Sequence, residues 1–267
     1  MPVSVRLLGA RPGPIQRDRH INPQPWDDAQ VALRLICVSG LGGVAAEWDR
    51  VAPALARRAE VLVLELPAPA AGLDDGGGLV GAGQKMLRRV VYHDPSPVVL
   101  VGHSMGALVA MLTAAAESER VNGLVLTAPF LPLGRYGRSR LVTAGDYARH
   151  RVLFIAGAYQ RRQPARAKGM SIRERAAGLQ SLARFGLRPA AFHAEAALVR
   201  CPVLLVHGSS DHYVPPAFAR AAAKRHPAWE LRMIDGAGHF PHRDNPAAWL
   251  AAVEPWLAST PPSATAS

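Results

Sequence analysis

The chain has 267 residues, of which 49% are hydrophobic, 19% charged and 6% aromatic, and it includes 24 Gly and 23 Pro. This length supports one sizeable core without metals or disulfides, and the composition excludes collagen, coiled coils and wholesale disorder. The sequence has no run of 18 apolar residues and no basic leader followed by an apolar core, which predicts a cytoplasmic protein without a membrane span.

The net charge of +11 is concentrated in one segment. Residues 131–200 hold 14 Arg and Lys against 3 Asp and Glu, whereas the rest of the chain is electrically balanced. The two cysteines, Cys37 and Cys201, fall within apolar runs and are expected to be reduced core residues. No spacing typical of a zinc site is present, so the sequence predicts neither a metal nor a cofactor.

Short β-rich apolar runs alternate with helical patterns along the chain. The predicted strands are 33–38, 61–66, 98–101, 121–127, 203–207 and 231–234. The predicted helices are 47–59, 79–93, 105–118, 215–226 and 246–258. This alternation predicts an α/β fold, with a mostly parallel sheet and helices on both faces. Residues 3–8 and 15–21 indicate an antiparallel hairpin at one edge.

Between the predicted strands at 121–127 and 203–207, about seventy residues carry no strand signal. A structureless loop of that length is uncommon. We therefore predict an α/β core formed by residues 1–130 and 200–258. A helical, basic cap at residues 131–199 is inserted between two late strands of that core. Residues 259–267 are expected to form a flexible tail.

A nucleophile elbow is indicated where the third predicted strand ends. The segment Gly102-His103-Ser104-Met105-Gly106 has the pattern G-x-S-x-G and lies between a strand and a helix. A residue at the tip of so sharp a turn has a strained backbone, and glycines on either side remove the side chains that would collide. Ser104 is therefore the candidate nucleophile.

A serine hydroxyl requires a base, and the base requires an orienting acid. Asp211 follows the strand at 203–207, and His239 follows the strand at 231–234. In a parallel sheet the carboxyl ends of the strands meet at one edge, so all three side chains can converge there.

These motifs, spanning residues 33–257, resemble the α/β-hydrolase superfamily, specifically its esterase/lipase-like branch with a cap. The resemblance implies that Ser104 is the nucleophile, Asp211 the acid and His239 the general base. It also implies that the backbone N–H groups of Leu41 and Met105 form an oxyanion hole. Two features depart from the family pattern: Ser39 replaces the usual His of the oxyanion loop, and residues 65–69 lack the usual D-x-x-G-x-G-x-S motif.

The remaining candidates are assigned structural roles. His103 is expected to pack beside the elbow, His207 to be a core or turn residue, His212 to lie too close to Asp211 to serve as base, His242 to be exposed, and Asp235 to form a turn. A metal site built on His239, His242 and Asp244 would lack the rest of a ligand set.

The sequence predicts a serine hydrolase that cleaves an ester-like small-molecule acyl substrate through an acyl-enzyme. Its activity is expected to fall at acid pH, with a midpoint at about 6.5. The string Gly-His-Ser-Met-Gly-Ala also resembles type II thioesterases, so an acyl thioesterase acting on carrier-protein or CoA thioesters is an alternative. A binding protein of the same fold with low turnover is another. The arginine-rich surface of the cap either only keeps a helical lid solvated or binds an anionic or carrier-bound substrate. Binding of nucleic acid is disfavoured because no binding motif accompanies the charge. The sequence does not predict the oligomeric state.

Overall fold

Seven strands form one sheet in the computed structural model, which describes residues 5–8, 33–66, 78–94, 96, 98–130 and 189–260. The strands are β1 (Val5–Leu8), β2 (Arg34–Val38), β3 (Glu60–Leu64), β4 (Val98–His103), β5 (Val121–Thr127), β6 (Val203–Gly208) and β7 (Trp229–Ile234). Their order is β1-β3-β2-β4-β5-β6-β7, and all neighbours are parallel except β1, which pairs with β3 in antiparallel fashion. The predicted mostly parallel sheet is confirmed.

Helices cover both faces of this sheet. They are α1 (Ala52–Leu55), α2 (Gly78–His93), α3 (Met105–Ala116), α4 (Pro189–Ala197), α5 (Pro216–Arg225), α6 (Pro241–Asp244) and α7 (Pro246–Ser259), with a short 3-10 helix at Ala45–Trp48. Within the part of the chain that the structure describes, none of them has the length and apolar character that crossing a bilayer requires.

The core consists of two layers because alternate residues of each strand point to opposite faces. On one face, Leu100 and Leu124 pack with α2, α3, α4 and α5. On the other face, Val99 and Val125 pack with α1 and α7, where Trp249 is fully buried. Each large aliphatic side chain buried in this way contributes roughly 1.5–3 kcal/mol. Strands that are buried on both faces explain the continuous apolar runs of the sequence.

The predicted helix at 47–59 is wrong. The chain instead forms the 3-10 helix, turns, and starts α1 at Ala52. Pro53 explains the break, since proline lacks an N–H and is tolerated only in the first turn of a helix. The interruption turns the 3-10 helix inward, where Glu47 and Trp48 are buried.

The segment predicted to be a cap joins β5 to β6, which are neighbouring strands. Most of it, residues 131–188, lies outside the described residues, as do residues 15–21 and 261–267. Its last part forms α4, in which Phe192 and Ala196 are buried against the core. The cap and the flexible tail stay predictions.

A buried ion-pair group lies at the amino ends of β2 and β3, opposite the edge where the candidate side chains were expected. The Arg34 guanidinium pairs with Asp94 and with Glu60, whose Oε2 lies 2.5 Å from Nη2. The side chains of Arg34 and Asp94 are 6% and 3% exposed, and that of Glu60 is 31% exposed.

Candidate active site

Ser104 lies at the sharp turn between β4 and α3. Its backbone has φ 52° and ψ −114°, a left-handed conformation that is strained for a residue with a side chain. A Cβ on Gly102 would lie 2.4 Å from Cα of Ala107, and one on Gly106 would lie 2.4 Å from the carbonyl oxygen of Ser39. Both positions of the motif therefore require glycine. The Ser104 N–H donates to the carbonyl of Thr127 on β5, which fixes the turn to the sheet.

His239 and Asp211 reach the same place from two other strands. Asp211 follows β6, and His239 follows β7. His239 Nε2 lies 3.0 Å from Ser104 Oγ, and His239 Nδ1 lies 2.8 Å from Asp211 Oδ2. The structure thus brings together the three side chains that the sequence singled out, although they are up to 135 residues apart.

The proton positions follow from these partners. The carboxylate of Asp211 only accepts, so Nδ1 of His239 carries a proton and donates to it. Nε2 is then free to accept from the Ser104 hydroxyl, which is the tautomer that a general base needs. The other Asp211 oxygen, Oδ1, accepts from the N–H groups of Tyr213 at 2.8 Å and Val214 at 2.9 Å.

Burial and charge set the ionisation of this group. Burial alone raises the pKa of the Asp211 carboxyl, but His239 and His207 together hold that pKa well below its usual range. Burial lowers the pKa of His239, and the opposing effect of Asp211 does not restore it to 6.5. A carboxylate and a neutral imidazole are therefore the stable forms at neutral pH.

Asp211 has a second imidazole partner. Nε2 of His207 lies 2.8 Å from the carbonyl of Val214 and 3.3 Å from Asp211 Oδ2. His207 is fully buried, which confirms that it is a core residue. It also supports the loop that holds Asp211, a contact that the sequence did not reveal.

The predicted oxyanion loop lies against the elbow. Gly40 to Gly43 form a turn in which the Gly43 N–H donates to the Gly40 carbonyl at 3.0 Å and Gly42 has φ 65°. A Cβ on Gly40 would lie 3.4 Å from Cβ of Ser104. Leu41 is at the tip of this turn, and Met105 is the first residue of α3, where backbone N–H groups have no partner within the helix. Their role in binding an oxyanion stays a prediction.

The comparison with protein families settles what this fold is. A sequence profile described as "Alpha/beta hydrolase family" matches residues 35–253. The chain belongs to this family. It is accordingly a hydrolase, as its similarity to enzymes of this kind also indicates.

Among the relatives of this α/β hydrolase is the pimeloyl-[acyl-carrier protein] methyl ester esterase of Klebsiella pneumoniae, which is 30% identical over 84% of this chain and 92% of its own length. RutD of Cronobacter sakazakii, provisionally a carbamate hydrolase, is 26% identical over 91% of this chain and 96% of its own length. A monoacylglycerol lipase of Paleococcus ferrophilus has a TM-score of 0.63 at 18% identity, over 98% of this chain and 100% of that chain. A carboxylesterase structure from Nitrososphaera gargenis has a TM-score of 0.67 at 16% identity, over 96% and 94% of the two chains. The two structures support the fold.

A second buried group of titratable side chains, formed by Glu47, His103 and His242, lies directly behind the Ser104 elbow of this α/β hydrolase. One ligand-type atom from each of these residues lies within 4.8 Å of the others, and the residues are at most 2% exposed. Nδ1 of His103 lies 2.5 Å from Glu47 Oε1, and Nε2 of His242 lies 3.6 Å from the same oxygen. Two ligands of one tetrahedral zinc ion are about 3.3 Å apart. The 2.5 Å contact between His103 Nδ1 and Glu47 Oε1 is shorter than this separation and does not fit two ligands of a shared metal.

The structure corrects one of the minor assignments and clarifies others. His242 was expected to be exposed, but it is fully buried because α6 folds back and stacks its ring on Trp48 at 4.6 Å. His103 is buried beside the elbow as expected. Asp235 is exposed in the turn after β7 and accepts from Ser209. Asp244 accepts from the Gly238 N–H at 2.9 Å and so supports the loop that carries His239.

Proposed function

We propose that this α/β hydrolase is a serine hydrolase that cleaves ester-like acyl substrates through Ser104, His239 and Asp211. The observation that carries the proposal is the unbroken series of contacts from Ser104 Oγ to His239 Nε2 at 3.0 Å and from His239 Nδ1 to Asp211 at 2.8 Å. The lowered pKa of His239 supports it, because a general base must be neutral to accept a proton.

The reaction divides into two steps. In acylation, Ser104 Oγ attacks the substrate carbonyl while its proton passes to His239 Nε2, and Asp211 stabilises the resulting imidazolium. The oxyanion accepts from the N–H groups of Leu41 and Met105, and His239 then protonates the leaving alcohol. In deacylation, His239 takes a proton from water, the hydroxide attacks the acyl-Ser104 carbonyl, and the acid departs as Ser104 regains its proton.

A fluorophosphonate probe tests this assignment, since such reagents react with activated serines. We expect stoichiometric phosphonylation of Ser104, identified by peptide mass analysis, and its loss in Ser104→Ala. Ester turnover should fall by about 10⁴-fold or more in that variant, because only the oxyanion site and substrate binding remain.

Ser259→Ala is a matched control, since Ser259 lies on α7 and its hydroxyl donates only to the carbonyl of Trp256 among its recorded contacts. This variant should label and turn over like the parent protein. Labelling of Ser104 without turnover of any acyl ester would instead favour a binding protein of this fold. Wild-type protein that does not label would contradict the proposal.

A second candidate function narrows the substrate to acyl groups attached to an acidic carrier protein. Two observations favour it. Residues 131–200 carry an excess of eleven positive charges, and a relative at 30% identity is named for a substrate on an acyl carrier protein. Carrier-bound thioesters and carrier-bound esters would both fit this charge.

Salt dependence separates this candidate from a lid that is merely basic. Raising ionic strength from about 0.01 to 0.15 M shortens the screening length from about 30 to 8 Å. The KM for a carrier-bound acyl substrate should then rise, whereas the KM for a small neutral ester should not. Equal effects on both substrates would rule out recognition of the carrier by charge.

We also propose that the enzyme works in a reducing compartment such as the cytoplasm. Cys37 and Cys201 are both free thiols, and Cys37 is buried. Burial raises the pKa of the Cys201 thiol to about 12, so it is a poor nucleophile and resists oxidation. Free cysteines that are not joined in a disulfide are typical of proteins from reducing compartments.

A further inference from the structure

We propose that Glu47 and His103 form a buried positioning pair that holds the main chain of His239, and with it the general base, against the nucleophile elbow. This inference rests on the proposed function, because it assigns a support to the residue that would act as base. Neither residue is a catalytic residue, because both are at most 2% exposed. In the part of the chain that the structure describes, no hydrogen bond joins either of them to Ser104 Oγ.

His103 links the two parts directly. Its Nε2 lies 2.8 Å from the backbone carbonyl oxygen of His239, and its Nδ1 lies 2.5 Å from Glu47 Oε1. Because a carbonyl only accepts, Nε2 must carry a proton and donate to His239. Nδ1 and the Glu47 carboxyl are in close contact, which leaves the His103 ring little room to turn. The pair therefore holds one ring orientation, with its N–H aimed at the His239 loop.

The same pair also contacts the oxyanion loop. A Cβ on Gly40 would lie 3.0 Å from Nδ1 of His103, and one on Gly43 would lie 2.3 Å from Glu47 Oε2. The loop can approach so closely only because these positions lack side chains. One buried pair thus lies between the loop that carries His239 and the loop that carries Leu41, and it fixes the distance between them.

His242 and Trp48 enclose the pair. His242 stacks on Trp48 at 4.6 Å and lies 3.6 Å from Glu47 Oε1, while Trp48 donates from Nε1 to Ser39 Oγ at 3.2 Å. Burial lowers the pKa of His242 to about 4, so this imidazole is uncharged at neutral pH. A buried polar pair of this kind keeps its geometry more strictly than an exposed one.

The test compares variants that keep or remove the hydrogen-bonding geometry. Glu47→Leu leaves His103 Nδ1 without its partner, so its ring can turn away from His239. Glu47→Gln can donate its amide N–H to Nδ1 and retain the orientation. We expect Glu47→Leu to lower kcat by about 10- to 100-fold, with KM within about two-fold, because the base is misplaced and substrate binding is not. Glu47→Gln should recover kcat to within about three-fold of the parent.

A second pair of variants keeps the proposal testable if Glu47→Leu does not fold. A glutamine amide reaches about as far as Nε2 of histidine, whereas an asparagine amide reaches only as far as Nδ1. His103→Gln should therefore keep the donor to the His239 carbonyl and most of kcat, and His103→Asn should lose it. Asp94→Asn is the matched control, since it disrupts a comparably buried ion pair at the opposite edge of the sheet. It should lower the melting temperature while leaving kcat unchanged.

Three results would overturn the inference: wild-type kcat in both Glu47→Leu and His103→Asn, equal losses in His103→Gln and His103→Asn, or an equal loss of kcat in Asp94→Asn. Stoichiometric zinc in the purified protein, removed by Glu47→Gln, would also overturn it by making the cluster a metal site. Fluorophosphonate labelling separates this outcome from failure of the proposed function. If Ser104 labels normally but the variants behave alike, only the positioning role is wrong.

Discussion

Two buried groups of ionisable side chains lie at opposite edges of the same sheet. They differ in the type of basic residue that each contains. At the amino ends of the strands, Arg34 is enclosed by Asp94 and Glu60. At the carboxyl ends, the carboxylates of Asp211 and Glu47 face imidazoles. A guanidinium keeps its charge at every working pH, whereas an imidazole exchanges a proton near neutrality. Similar burial therefore produces a fixed clamp at one edge and a group that can transfer protons at the other.

The pKa shifts at the two edges support this distinction. Burial lowers the pKa of Arg34, but its bonds to Asp94 and Glu60 raise that pKa overall, so the charge is retained. Burial also lowers the pKa of His239, and there the carboxylate does not overcome it. Of these two groups, the one at the carboxyl edge contains an imidazole that is uncharged at neutral pH.

Loss of the Asp211 carboxylate at the carboxyl edge should cost the most activity. Asp211→Asn leaves Nδ1 of His239 facing an amide, which can favour the wrong tautomer, so kcat for an acyl ester should fall by about 10⁴-fold. Asp235→Asn is the control on the adjacent loop, because Asp235 is exposed and accepts only from Ser209 in its recorded contacts. Steady-state kinetics should give near-parental kcat for the control. A loss below tenfold in Asp211→Asn would remove Asp211 from the proposed relay.

The amino edge should respond in stability instead of rate. Asp94→Asn leaves the Arg34 guanidinium with one carboxylate fewer, and breaking a buried pair in this way costs about 3–5 kcal/mol of unfolding free energy. Urea unfolding measures the loss, and kcat per folded molecule should be unchanged. Glu60→Gln, whose side chain is 31% exposed, should lose less. A fall in kcat for Asp94→Asn at a temperature where it is fully folded would contradict the division of roles.

The sequence predicted the carboxyl edge well because its main signals are local. Glycines flanking Ser104 are needed for steric reasons within five residues, and Asp211 and His239 each follow an apolar strand directly. In a parallel sheet those positions meet whatever the remaining packing is. The bounds of the six predicted strands agree with the structure to within two residues, and β2, β4, β5 and β6 are buried throughout, which gives them clear apolar runs.

The buried group formed by Glu47, His103 and His242 could not be predicted in this way. Glu47 and His242 lie in segments that pattern alone assigned to a helix and to the surface, and they meet only through tertiary contacts. Pro53 was an available signal that the helix at 47–59 must break. The burial of His242 had no comparable signal, because it depends on stacking against Trp48, which is 194 positions away in the sequence.

The pH dependence of kcat/KM tests the ionisation of His239 at the carboxyl edge. In the proposed mechanism His239 accepts a proton only when neutral, and burial lowers its pKa below 6.5. The active form therefore persists to lower pH than an exposed histidine would allow, and kcat/KM for a neutral ester should fall with a midpoint below 6.5. The sequence alone placed that midpoint near the ordinary value. A midpoint above 6.5 would mean that Asp211 outweighs burial, contrary to the environment described here.

A histidine pair lies where α4 meets the end of α5, beside the first residue of β7, and its titration should change stability only slightly. His193 Nδ1 lies 3.0 Å from His226 Nε2, and the His226 ring stacks on Trp229 at 4.4 Å. Burial and then the Arg225 charge lower the pKa of His193 to about 4, and the same causes lower the pKa of His226.

Because the folded state binds these protons less readily than the unfolded chain, stability should be complete above pH 6.5 and should decline as pH falls from 6.5 towards about 4. His193→Gln cannot take up a proton there, so its melting temperature should fall less over that interval, by about 2 °C. Thermal unfolding of both proteins at pH 7.5 and 4.5 measures the difference. Parallel declines in the two proteins would show that the pair is not the titrating group.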